Sequence, residues 1–257
     1  MDINISTPGE LSELVTALGG TMPDELNAIA DTIKQVRNWH GPDTFDISVA
    51  ARTGALTSDT AVDLLDQAVR QPTIEPTTVR AQAVHGLLQR YSILVAGSAG
   101  DSIIESVRPA FTEASAAIAE AANLVLPNAT AADLSEADDD YIAAWRALGE
   151  HRGTLDKVGA LIELLAVTGF NVLGGLQPWH TPRAREAAFF AGETRWLLDV
   201  GRALTLPNGS GGPRGGKWHQ ISSALVLNTV TEARLILAEA QREREETQAK
   251  ERATIYS

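Results

Sequence analysis

The sequence predicts an all-α fold. Three observations carry the expectation: alanine, leucine, arginine and glutamate fill the periodic segments, apolar residues recur every three to four positions, and alternating runs of Val, Ile, Thr and aromatics are scarce. At 257 residues the chain can bury about three-quarters of its unfolded surface, enough for a core without covalent staples. The expected architecture is a multi-helix bundle of roughly seven to nine helices around one long central antiparallel hairpin.

Each element has its own signals. Ser6 or Thr7 before Pro8 caps a first helix with Leu11, Leu14, Val15 and Leu18 on one face, and Gly19-Gly20 stops it. Pro23 opens a second helix (Leu26, Ile29, Ala30, Ile33, Val36) that ends at Trp39-His40-Gly41-Pro42. Asp43 or Thr44 caps a third through Arg52, with Gly54 as its stop. Ser58 caps a fourth, whose stripe is Val62, Leu65 and Val69. From Glu75 to Val125 the pattern predicts one long helix or two stacked ones, with a break or kink near 97–109 from Gly97, Gly100 and Pro109. Its second part carries an alanine-rich stripe, Ile103, Val107, Phe111, Ala114, Ile118, Ala121 and Val125, narrow enough for close helix packing.

After the turn Leu126-Pro127-Asn128, Thr130 and Asp133 mark the start of the hairpin's second arm, which runs to Gly169 with Trp145, Leu148, Leu155, Val158 and Ile162 inward. Thr181-Pro182 begins another helix carrying Ala187, Phe190, Trp196, Leu197, Val200 and Leu204. A Gly-rich loop, residues 207–216, separates it from a final helix expected to start near Trp218, with Ile221, Leu225, Leu227, Val230, Leu235 and Leu237 on its apolar face. Beyond Ala240 this helix reads Gln241-Arg-Glu-Arg-Glu-Glu246, suited to solvent or to a partner. The punctuation marks three regions: 1–72, 73–180 and 181–257.

Composition excludes several function classes. With no cysteine there is no disulfide, thiolate metal site, iron–sulfur cluster or cysteine nucleophile. The net charge is −12, divided unevenly: residues 1–140 hold 21 acidic against 7 basic residues, net −14, and residues 141–257 hold 12 against 14, net +2. So acidic a chain argues against nucleic acid and anionic lipid as partners, and the asymmetry permits head-to-tail self-association. No run of 18 apolar residues and no basic-then-apolar leader occurs, so the expectation is a cytoplasmic protein without a membrane span, incorporated into particles if it is a virion component.

The least random feature is that three of five tryptophans precede a histidine: Trp39-His40, Trp179-His180 and Trp218-His219. Chance predicts about 0.1 such pairs. Two readings follow. The tryptophans plug helix junctions while the histidines bond freed carbonyls, or the six residues line a ligand or metal site with imidazole ligands or acid–base groups. The first is preferred because no His-x-x-x-His or Glu-x-x-His spacing accompanies them. In the Gly-rich loop, Arg214 and Lys217 are candidate anion or partner contacts, as are Arg183 and Arg185 upstream. The acidic run Glu136–Asp140 lacks an EF-hand pattern and reads as helix N-terminal charge. Leu161–Phe170 resembles a helix of the carboxymuconolactone decarboxylase and alkylhydroperoxidase group. That group's reactive cysteines are missing here, so the resemblance implies no activity.

With no hydrolase elbow, nucleotide loop or kinase motif, no catalytic residue, metal or cofactor is expected. The expected function is a non-enzymatic structural or assembly protein acting through helix-mediated oligomerisation with copies of itself or other protein subunits. A bacteriophage head or head–tail connector component is its concrete form. The alternative is an all-α ligand- or metal-binding protein, or an enzyme, using the Trp-His pairs.

Overall fold

The computed structural model describes residues 4, 6–40, 47–55, 57–69, 76–126, 129–176, 181–206 and 214–255. In chain order the helices are α1 (Thr7–Ala17), α2 (Asp24–Asn38), α3 (Ile47–Arg52), α4 (Ala61–Val69), α5 (Pro76–Val95), α6 (Ser98–Ala121), α7 (Asp139–Glu163), α8 (Ala184–Phe190), α9 (Leu197–Thr205), α10 (Gly216–Gln220) and α11 (Val230–Ile255). Among the described residues, the sole β-type pairing is an isolated antiparallel bridge between Ala191 and Leu225. The protein is therefore an all-α multi-helix bundle, and none of its described helices is long and apolar enough to cross a membrane. The chain divides into two compact units, Ala28–Arg90 and Met1–Asn27 with Tyr91–Ser257, where the sequence punctuation marks 72/73 and 180/181.

Within the Ala28–Arg90 unit, Ile29 and Ile33 lie one turn apart on α2 and are both buried. Arg80 on α5 donates to the Trp39 carbonyl (3.2 Å), satisfying an acceptor just beyond the end of α2. Before α4, Thr60 accepts from the Thr57 N–H (2.9 Å) and donates to the Ala55 carbonyl (2.6 Å), so threonines and not Ser58 organise this turn. The α4 stripe departs from expectation: Val62 is 71% exposed and Leu65 52%. A nine-residue helix packed chiefly on the short α3 finds too little apolar surface to cover them. Asp43 and Thr44 lie outside the described residues.

The larger unit follows the sequence pattern closely in α1 and α6. In α1, Ser6 donates to Glu10 (3.0 Å), Pro8 occupies the first turn, and Leu11 and Val15 are fully buried; Gly19, at φ +71°, ends the helix. Every residue of the stripe from Ile103 to Val125 is buried. Of the two forms expected over 75–125 the second is observed, two helices divided at Ala96–Gly97, at the near edge of the expected break, and the first arm of a single long hairpin is not formed. A Cβ on Gly100 would meet the Val95 carbonyl oxygen at 2.0 Å, so glycine lets α6 start this close to the end of α5. Pro109 stays inside α6, where the buried stripe on both sides outweighs one missing N–H bond. α6 and α7 form the most extensive helix pair.

Three boundaries differ from those expected. Thr130 and Asp133 form a capping box on a 3₁₀ turn, Ala131–Ser135, and the helix proper starts at Asp139, with Asp138 accepting from the Tyr141 N–H (2.8 Å). The expected helix from Thr181 is divided into α8 and α9. The Val226 and Asn228 N–H groups take the Phe190 and Phe189 carbonyls (3.2 and 2.8 Å), while the Asn228 side chain donates to Ala188 and Ala191 (2.8 and 2.7 Å). The segment 225–228 thus caps α8 from outside. For the same reason the last long helix begins at Val230, not near Trp218, and Leu235 is exposed. Pro127, Asn128 and the stretch 207–213 lie outside the described residues.

α8 forms the centre of this unit, with Ala184, Glu186, Ala187, Ala188, Phe189 and Phe190 all buried. Three arginines fasten the surrounding loops. Arg234 donates to the Val172 (2.5 and 3.1 Å) and Ala96 (2.5 Å) carbonyls, Arg108 to Leu227 (2.5 Å), and Arg185 to Asn171 (2.7 Å) and the Gly174 carbonyl. Asp101 of α6 accepts the backbone and hydroxyl of Thr231 (3.0 and 2.6 Å), tying the start of α11 to α6.

Candidate functional site

The larger unit holds a cleft of about 540 Å³. α7 contributes Asp156, Gly159, Ala160 and Glu163, residues on one face over two turns. Arg183, Glu186 and Phe190 of the α8 region form the opposite wall, and Leu204–Leu206 at the end of α9 together with Lys217 on α10 complete it.

Charge in the cleft is largely paired. Arg183, directly before α8, has left-handed backbone (φ 48°), a strained conformation for a residue with a side chain. Its nitrogens donate to Glu186 (2.7 Å), Glu163 (3.2 Å) and the Leu204 carbonyl (2.9 Å), joining α7, α8 and α9. Asp156 accepts from the Trp218 indole N–H (2.8 Å) and from Arg152 (3.4 Å). Trp218 is fully buried. It meets Phe190 edge-on (5.2 Å, 67°), and its ring edge comes so near Gly159 that a Cβ there would sit 3.2 Å away. The Lys217 ammonium lies 5.0 Å over the Trp218 ring, and burial holds its pKa below the ordinary lysine value.

The candidate residues from the sequence separate into several environments. Arg183 and Lys217 meet in the cleft, and Trp218 packs behind it. Arg185 is engaged by the Asn171–Gly174 loop. Arg214 lies 3.8 Å over the Trp145 ring on α7, so its charge is stacked on this chain's own indole. Trp39, 42% exposed, and His40, also exposed, belong to the other unit. Trp179 and His180 lie outside the described residues. Among the described residues no group of three or more His, Cys, Asp or Glu is placed to hold a metal.

Asp156, Glu163 and Glu186 are cleft residues that carry no signal of their own in the sequence. Asp156 and Glu163 directly follow the buried Leu155 and Ile162, and that spacing is equally typical of a solvated helix face; only the position of Arg183 and Trp218 distinguishes them.

His219 is buried and its Nε2 has no hydrogen-bond partner among the described residues. Burial pushes its pKa below the usual 6.5, against an opposing pull from the Val125 backbone. The folded protein therefore resists a proton that the unfolded chain accepts, and stability falls as pH drops through about 6.5 towards the lower folded value. Thermal unfolding of the wild type between about pH 7.5 and 5.5 is expected to fall more steeply than that of His219→Gln; equal slopes would remove His219 from the account.

Comparison with known proteins gives no relative from which a role transfers: no protein-family model, no curated protein and no solved structure matches this chain.

Proposed function

We propose that the protein is a non-enzymatic assembly subunit that works through helix-mediated contacts with copies of itself or with other protein subunits. The observation that carries this reading is α11. After Leu237 no residue through Ala253 is buried, which is about 24 Å of helix at 1.5 Å per residue. A helix this exposed is marginal in water by itself and adds little to the core it leaves. Its charges alternate in sign: Arg242 pairs with Glu239 (3.4 Å) and Glu246 (4.0 Å). Such a surface suits a polar, charge-matched contact. The cysteine-free all-α chain with an acidic first part and a mildly basic second part fits a particle component, such as a bacteriophage head or head–tail connector subunit. That finer reading rests on analogy of fold class and composition.

Native mass spectrometry of the full chain and of a form ending at Ala240 tests it. The full chain is expected to form an oligomer and the shortened one to dissociate, with unfolding free energy changed by no more than about 0.5 kcal/mol. Identical subunit numbers for the two would overturn the role of α11.

A further inference from the structure

We propose that the cleft between α7, α8 and α9 binds a small organic monocarboxylate, whose carboxylate is held by Lys217. The inference stands on the cleft alone and is independent of the assembly reading.

Among the described residues Lys217 is the cation of the cleft lining that makes no ion pair or hydrogen bond, although Asp156 and Glu163 act on it from a distance. Asp156 is engaged by Trp218 and Arg152, and Glu163 and Glu186 by Arg183. Each Arg183 nitrogen already donates within the protein. Lys217, half-buried, has no ion pair or hydrogen bond among the described residues, and its close neighbour is the Trp218 ring. An ammonium carries three N–H donors and no acceptor, and withdrawing it from water without a partner is unfavourable. A ligand oxygen bearing negative charge supplies what this position lacks, through a charge-assisted hydrogen bond.

The rest of the cleft narrows the ligand. Its volume of about 540 Å³ lies within the range of small-molecule sites. The exposed lining of the cleft is mostly polar; Phe190 and Leu204 are themselves buried, so Ala160 and Leu206 supply its limited apolar surface, which suits a small ligand body. Asp156 and Glu163 act electrostatically on Lys217 and would repel a dianion brought to it. A single carboxylate on a small body therefore fits better than a phosphate. The walls are set beforehand: Arg183 joins three helices in a strained backbone conformation, and Trp218 is wedged against Gly159 and Phe190. Strain retained beside a cleft is characteristic of binding sites.

The chain has four lysines, so ¹³C-lysine labelling of the full protein gives a spectrum in which Lys217 is readily followed. Lys217→Arg, which keeps the cation, or Lys217→Met identifies its Cε signal. Benzoate is the probe. On titration the Lys217 signal is expected to move and saturate while the other three stay in place, and its titration midpoint should rise because a bound carboxylate favours the charged amine. Inorganic phosphate at the same concentration is expected to leave the signal unmoved. By calorimetry Lys217→Met should weaken benzoate by about tenfold or more, the equivalent of one hydrogen bond to a charged group. A Lys217 signal that benzoate does not move, or Lys217→Met binding as tightly as the wild type, overturns the site. Phosphate moving the signal as strongly as benzoate overturns the monocarboxylate assignment. If Lys217→Met fails to fold, the wild-type titrations decide the question.

Discussion

Replacing Trp218 by alanine is expected to destabilise the larger unit by about 3–5 kcal/mol, the range for deleting a large buried aromatic. Trp218 is fully buried and joins α10 to two other helices: it meets Phe190 of α8 and, on α7, packs against Gly159 and donates its indole N–H to Asp156. Truncation leaves a cavity against Phe190 and removes a donor from Asp156, and the two effects add in sign. Trp218→Phe separates them. It keeps most of the ring and loses the N–H bond, so it should cost about 1–3 kcal/mol, the penalty for leaving one polar partner unmatched. Urea unfolding followed by far-ultraviolet circular dichroism reads both. A loss under about 1 kcal/mol for Trp218→Ala would mean the surrounding helices collapse into the space, and the wedge would not be rigid.

The second large effect is expected at Arg183. Arg183→Met leaves Glu186, whose side chain is only 9% exposed, without its cation. It also breaks the links to Glu163 on α7 and to the Leu204 carbonyl at the end of α9. Removing one member of a buried pair costs about 3 kcal/mol or more, because the remaining charge has lost both water and partner. The double variant Arg183→Met with Glu186→Gln should be more stable than Arg183→Met alone, since the orphaned charge is gone. Urea unfolding of the four members of this cycle gives the coupling directly. Additive effects would show that Arg183 acts only by filling space.

These two residues show how unevenly the site could be read in advance. Arg183, Lys217 and Trp218 were visible as candidates, but for anion or partner contact and for a plug or ligand wall respectively. Their meeting with Asp156, Glu163 and Glu186 was not visible, because residues 156, 183 and 217 are far apart in the chain and no local spacing relates them. One further signal is legible in the sequence: Thr229-Val-Thr-Glu232 is a capping box, with Thr229 N–H donating to Glu232 (2.8 Å) and Glu232 N–H to the Thr229 hydroxyl (3.2 Å). It marks the start of α11 one residue later, at Val230, where the apolar periodicity alone placed a start near Trp218.

Local chemistry determined the helical class, the course of α1 and α6, and the absence of every cysteine-based function. Apolar stripes such as Ile103–Val125 and stops such as Gly19 act over one or two turns, so a single chain displays them directly. Tertiary structure decided the rest. Asn228 and the 225–228 backbone end α8 by taking its carbonyls, Val62 and Leu65 stay exposed on α4 for want of a covering surface, and Arg234 closes loops near Ala96 and Val172. The cleft belongs to the same category. Its ion pairs form only when helices distant in sequence meet, and which polar group is left without a partner is a property of that meeting, not of any stretch of residues.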